Sequence, residues 1–172
     1  MADNKDIFTV NDYIIDFENI YQIFEQKKQK NYSGQDVDYF FYRSISNSDD
    51  KRQQIVCHTP IENIIKSGLR HLITPADVKV FYKKLDEKYN EANFTDPKLI
   101  KEILYSNDPF KNLDILKQLY FEKNKNPDIF SKANKELSES ILNHLCDEIA
   151  FVSKKTLASI KTKLTHILSK IN

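Results

Sequence analysis

The segment Gln53–Ile73, QQIVCHTPIENIIKSGLRHLI, separates two halves of the chain that have different patterns. It begins as an apolar strand that stops at Thr59-Pro60, because proline has no N–H to give to a sheet ladder. Pro60 suits the first turn of a short helix, and Gly68, one of only two glycines, suits its end with a positive φ. Strand patterns precede this segment and helical patterns follow it, so we expect two domains, residues 1–72 and 73–172.

The first half is predicted to form short strands separated by turns. β-branched and aromatic runs occur at Phe8–Val10, Tyr13–Ile15, Ile20–Phe24, Tyr39–Tyr42 and Gln54–Cys57. Glu25–Lys30 is polar and is interpreted as the approach to a turn, and Asn31–Gly34 has hairpin chemistry. This half is therefore expected to be a small five-stranded β-barrel or a strongly bent sheet.

The second half repeats one helix-start signal. A residue with a capping oxygen precedes a proline at Thr74-Pro75, Asp96-Pro97 and Asp108-Pro109, and Ser131 can cap a fourth helix. A fifth helix is predicted from Lys154 to Lys170, with an apolar face of Leu157, Ile160, Leu164, Ile167 and Leu168. Five amphipathic helices with short connections predict a bundle, and the fold class is therefore α+β.

Composition indicates a soluble cytoplasmic protein. The formal net charge is +1, with 9 basic and 11 acidic residues in positions 1–72 against 17 and 14 in positions 73–172. This asymmetry favours the second half as the part that faces nucleic acid. Cys57 and Cys146 share no motif and are expected to be free thiols in a reducing compartment. The polar start MADNKD is no signal peptide, and no apolar run reaches the roughly 18 residues of a membrane span.

The central segment resembles a known family. Pro60-x-Glu62-Asn63, four further residues and Gly68-x-Arg70 resemble the end of the polymerase-interacting module in the CarD/CdnL family of bacterial transcription regulators. That family pairs a small Tudor-like β-barrel with a C-terminal helical domain. The resemblance covers nearly all of residues 7–170, and it rests on the order and spacing of motifs rather than on identity.

The resemblance implies a partner for the first domain. In the family, the exposed edge of the barrel binds the β subunit of RNA polymerase, and basic side chains there meet acidic ones. Alignment without gaps places Lys30 and His58 at the basic positions, and Val56 lies on the same predicted edge strand. Lys30 is equally well explained as a solvated lysine of a hairpin. Cys57 and His58 do not suggest a metal or catalytic pair, because adjacent strand residues point to opposite faces.

The resemblance also implies a promoter contact by the helical domain, through a tryptophan wedge followed by basic residues. This chain has no tryptophan, and the corresponding segment offers Phe94 followed by Thr95-Asp96. Phe94 is either a smaller wedge or a hydrophobic staple on the helix that follows, and both interpretations remain open. Candidates for weak, sequence-nonspecific DNA contact are Lys98, Lys101, Lys123, Lys125, Lys154, Lys155 and Lys161. For the lysines of the last helix, a solvated outer face is the favoured alternative.

These features favour a non-enzymatic regulator that binds the RNA polymerase β subunit and promoter DNA and modulates the stability of the open complex. The alternatives are a stand-alone DNA- or RNA-binding protein and a protein-interaction adaptor that has lost DNA contact, which Thr95-Asp96 favours. An enzyme is the least favoured class, because there is no glycine-rich phosphate loop and the four histidines lie far apart in sequence. No cofactor, metal, membrane or small-molecule substrate is expected.

Overall fold

The structure is a computed structural model that describes residues 8–16, 19–45, 55–64, 66–89 and 97–171. The chain divides into two compact units, Met1–Leu72 and Ile73–Asn172, which we call the strand unit and the helical unit. Their described residues contain five antiparallel β-strands and five α-helices, which confirms the α+β class. Each unit has its own hydrophobic core.

The strand unit is built on one sheet with the order β4-β3-β2-β1-β5. Its strands are β1 Tyr13–Asp16, β2 Asn19–Lys30, β3 Asp36–Ser44, β4 Val56–Pro60 and β5 Arg70–His71. In the described residues β4 and β5 lie at opposite edges and do not pair with each other, so the sheet is open. The closed barrel is therefore not confirmed.

One strand prediction was wrong, and two strand segments were missed. Glu25–Lys30, interpreted only as the approach to a turn, continues β2 up to the predicted turn at Asn31–Gly34, because its backbone pairs with β3 while its polar side chains stay exposed. Phe8 lies outside the strands and is buried, with its ring stacked on His71 at 4.3 Å. Finally, β5 was not predicted, since its two residues are a strand only through their pairing with Ile14 and Ile15.

A β-bulge interrupts β2. Ile23 pairs with Tyr42 and Glu25 pairs with Phe41, so Phe24 is an extra residue in its strand. Because side chains alternate between the two faces of a strand, one extra residue reverses the face on which every later side chain lies. Each side chain of β2 after Phe24 therefore lies on the face opposite to the one it would occupy in a regular strand.

The segment between β4 and β5 has the predicted glycine turn and a shorter helix than expected. Pro60 precedes a 3₁₀ turn, Ile61–Asn63, and Ile61 and Ile64 are buried in the core. Gly68 has φ = +77°, as predicted. This left-handed conformation is easily adopted by glycine and is strained for a β-branched residue.

Gly68→Val should therefore lower the free energy of unfolding of the strand unit by about 1 kcal/mol or more. The matched variant is Gly68→Asn, because asparagine tolerates the left-handed region better than valine does. Urea titration followed by circular dichroism measures both losses. Equal losses for valine and asparagine would show that backbone strain is not the cause.

The helical unit contains α1 Pro75–Asp86, α2 Pro97–Tyr105, α3 Pro109–Lys125, α4 Lys132–Ser153 and α5 Leu157–Leu168. The predicted caps Thr74, Asp108 and Ser131 each accept a hydrogen bond from a backbone N–H of the first turn, which confirms them, whereas Asp96 lies outside the described residues. The predicted start at Lys154 is wrong. Lys154 has φ = +54° and ends α4, and Thr156 caps α5. Leu157 is 44% exposed and does not join the apolar face.

The C-terminal ends of α1, α3 and α5 meet at one end of the helical unit. The Lys117 ammonium of α3 is buried and donates to the carbonyls of Lys84 and Glu87 at 2.8 and 2.7 Å, at the end of α1. Burial lowers the pKa of Lys117, against the opposing effect of nearby carboxylates. Asn124 Nδ2, near the end of α3, donates to the Ile171 carbonyl at 2.7 Å, just beyond α5. The two bonds from Lys117 satisfy carbonyl groups that the end of α1 leaves without helical partners.

Candidate functional site

Two of the predicted polymerase-binding residues lie together on the edge strand β4. The register pairs Val56 with Arg43 and His58 with Phe41, so both side chains lie on the face opposite to the core. Val56 is 57% exposed and His58 is exposed, whereas Cys57 between them packs against the core. In the described part of the sheet β4 has only β3 beside it, so its other edge can accept an added strand.

Aromatic rings surround His58 on this outer face, and with one arginine they form a cluster that we call the outer patch. Its members are Phe24, Tyr39, Phe41, Arg43 and His58. His58 stacks on Phe41, with centroids 5.5 Å apart and planes at 24°, and lies 5.6 Å from Tyr39. Phe24 lies 6.5 Å from Phe41, and the Arg43 guanidinium lies 5.5 Å from the Phe24 centroid. The outer patch thus crosses β2, β3 and β4.

Lys30 lies on the other face of the sheet. It is the last residue of β2, is exposed and pairs with Asp36. Because the bulge at Phe24 turns this part of β2 over, Lys30 shares a face with the buried Phe40 instead of with His58. The structure therefore brings Val56 and His58 together and separates Lys30 from them.

Sequence reasoning missed most of the outer patch. It identified Tyr39–Tyr42 only as a strongly apolar strand, yet consecutive strand residues face opposite sides. Phe40 and Tyr42 are buried, so Tyr39 and Phe41 face outward, where they are partly exposed. A run of four aromatic residues in a strand was the signal that could have revealed an apolar outer face. Nothing in the sequence near Arg43 indicated that this residue belongs to the outer face.

The lysines predicted to contact DNA lie at both ends of the helical unit. Lys123 and Lys125 are at the end of α3, with their amines 5.4 Å and 5.2 Å from the ring centroids of Tyr120 and Phe121. Lys154 and Lys155 lie in the turn before α5 and are exposed. Since the end of α5 lies beside the end of α3, the length of α5, about 18 Å, separates the two pairs. These lysines do not form one basic surface.

The lysines of α5 project to different sides. Lys161 Nζ donates to Asn143 Oδ1 on α4 at 2.8 Å. Lys163 Nζ lies 3.8 Å from the ring centroid of Tyr82 on α1. Both amines thus have partners within the helical unit, and a phosphate would have to compete with those partners.

The remaining candidates for DNA contact lie on or before α2. Lys101 is exposed on this helix. Phe94 lies outside the described residues, and so does the side chain of Lys98. The choice between wedge and staple for Phe94 therefore stays open.

A groove of about 400 Å³ lies beside the ends of α1 and α5. Its lining combines apolar side chains, among them Leu85 and Ile167, with charged side chains of both signs, such as Asp86 and Lys170. Such a mixed lining does not define one class of ligand.

The described residues show no metal centre, since no three His, Cys, Asp or Glu side chains among them are grouped so that they could hold an ion. In the same part of the chain, none of the helices combines the length and apolar character needed to cross a membrane. No family model matches the chain, and no curated protein matches it.

Proposed function

We propose that the chain is a non-enzymatic transcription regulator similar to the CarD/CdnL family. The strand unit, as a Tudor-like domain, binds the β subunit of RNA polymerase. The helical unit contacts promoter DNA weakly and without sequence specificity, and the two contacts together change the stability of the open complex. Binding to polymerase raises the local concentration of the helical unit at the promoter, so its own affinity for DNA can be low.

The observation that carries the proposal is the edge strand β4. Among the described strands β4 lies at an edge of the sheet, and an edge strand suits the addition of a strand from a partner, in which main-chain hydrogen bonds provide affinity and alternate side chains provide specificity. Ile55 and Val56, at the start of this edge, are 59% and 57% exposed. Lys30 supplies a separate charge contact from the end of β2.

Val56→Asp should weaken binding to an isolated RNA polymerase β lobe by about tenfold or more, because it places a charge in an apolar contact. The matched control is Val80→Asp, since Val80 is 54% exposed on α1 and lies outside the proposed site. Biolayer interferometry with the full chain measures both. Absence of wild-type binding contradicts the proposed function, and equal losses for the two variants contradict the proposed site.

The Lys30 contact is tested in the same assay with Lys30→Gln. A glutamate at this position would face Asp36 directly across the strands and would add like-charge repulsion to any loss of binding. Glutamine removes the charge alone. We expect the affinity for the β lobe to fall by about threefold, and by more at low salt. A loss that does not depend on salt would exclude a charge contact at Lys30.

The adaptor without DNA contact is the second candidate. It is favoured by the separation of Lys123 and Lys125 from Lys154 and Lys155 across the helical unit. Open-complex lifetimes distinguish the two, because an adaptor bound to polymerase leaves the lifetime unchanged when Lys101, Lys123 and Lys125 are replaced by alanine. A regulator that contacts DNA loses part of its effect on the lifetime, equally at all promoters.

A further inference from the structure

The outer patch continues along the sheet beyond its five members. Lys27 pairs with Tyr39 and therefore lies on the same face. In the other direction, Arg43 pairs with Gln22, which pairs with Tyr13, and Tyr13 is 41% exposed. Aromatic and basic side chains thus both occur on the outer face, from Tyr13 on β1 to His58 on β4.

The charges of this face differ from those of the first half of the chain. Residues 1–72 carry 9 basic and 11 acidic side chains. The register places Lys27 and Arg43 on the outer face, beside the rings of the outer patch. In the described part of β2, Glu25 is the acidic residue on the same face. The outer face is therefore locally basic within an acidic half, which favours an anionic partner.

Aromatic rings on a sheet face combined with dispersed positive charge suit unpaired bases. Each base can stack on a ring whatever its identity, and a guanidinium or an ammonium beside the rings can bind the phosphates. A duplex hides its base faces and offers only phosphates, so stacking selects single strands. An acidic peptide would use the charges but not the row of rings.

We infer that the outer patch binds single-stranded nucleic acid, with bases stacked on Phe41, Tyr39 and Phe24 and phosphates bound by Arg43 and Lys27. This activity goes beyond the proposed function, because it requires neither polymerase nor the helical unit. DNA and RNA both present planar bases and phosphates to such a surface.

The test uses the full chain and a fluorescein-labelled oligothymidine of about ten nucleotides, close to the site size of single-strand binders. Fluorescence anisotropy should show binding that weakens with salt and is stronger than binding to a duplex of equal length. Phe41→Leu, which keeps an apolar side chain but removes the ring, should raise Kd by about fivefold or more. Arg43→Ala, at an exposed position, should raise Kd by a similar factor. Oligouridine tests RNA in the same way.

Two control variants lie in the same unit but outside the outer patch. Tyr32 is a fully exposed tyrosine in the β2–β3 turn, and Lys66 is an exposed lysine between β4 and β5. Tyr32→Ala and Lys66→Ala should leave Kd within about twofold of the wild-type value, and circular dichroism checks the folding of all four variants.

The inference is overturned if the wild-type chain does not bind the oligonucleotide, or if it binds the duplex equally well. It is also overturned if folded Phe41→Leu and Arg43→Ala bind like the wild type. Binding of the polymerase β lobe without any binding of the oligonucleotide overturns this inference and leaves the proposed function unaffected. Binding of the oligonucleotide without the lobe supports this inference and contradicts the proposed function.

Discussion

Phe81→Ala should lower the free energy of unfolding of the helical unit by about 3–5 kcal/mol. Phe81 is fully buried in α1, with its ring 6.1 Å from that of Tyr82 and 6.3 Å from that of Phe110. Alanine removes these contacts and leaves a cavity that the surrounding helices fill only in part. Since small domains are stable by about 5–15 kcal/mol, the helical unit would become marginal.

The measurement is urea denaturation followed by circular dichroism, with Val80→Ala as the control. Val80 is the preceding residue of the same helix and is 54% exposed. Its replacement should change stability by no more than about 0.5 kcal/mol, because little apolar surface is lost and alanine favours a helix. If Phe81→Ala costs less than about 1 kcal/mol, the packing of α1 against α3 is wrong.

The second large effect is a loss of stability at alkaline pH. Burial of Cys146 raises its pKa from 9.0 to about 12, and Lys161 opposes the shift. Between these two values the folded state keeps a proton that the unfolded state releases, so the free energy of unfolding falls as pH rises. One such proton corresponds to about 1.4 kcal/mol per pH unit within the window.

The stability of the wild type between pH 9 and pH 12 should therefore fall more steeply than that of Cys146→Ala. Burial also raises the pKa values of Tyr82 and Tyr120, so the variant should keep part of the slope. Val80→Ala, which removes no titratable group from the same unit, should keep the full wild-type slope. Identical slopes for the wild type and Cys146→Ala would show that this thiol is accessible to water in the folded protein.

The structure shows which features local chemistry can predict. The caps at Thr74, Asp108 and Ser131 were correct, because a cap is a hydrogen bond between residues two or three positions apart. The positive φ of Gly68 was correct for a similar reason, since the requirement lies in its own backbone. The left-handed Lys154 was not foreseen, because lysine seldom adopts this conformation and nothing nearby in the sequence signals it.

The errors in the strand unit come from pairing between distant residues. β5 consists of two residues that have no marked preference for a strand, so its formation depends on pairing with β1. The length of β2 depends on β3, whose backbone pairs with six consecutive polar residues. The bulge at Phe24 had the largest consequence for the site, because it moved Lys30 away from His58. No local property of the sequence marks the position of an extra strand residue.

The pairing of β5 with β1 also has a consequence for synthesis of the chain. Ile14 pairs with His71, so the first strand finds one of its neighbours only after more than fifty further residues have been added. During translation β1 to β4 can pair soon after each has left the ribosome, because they follow one another in sequence. Phe8 and the edge of β1 that pairs with β5 find their partner only after His71 has also left the ribosome. Ribosome-bound chains arrested before Arg70 should therefore expose apolar side chains that the finished protein conceals.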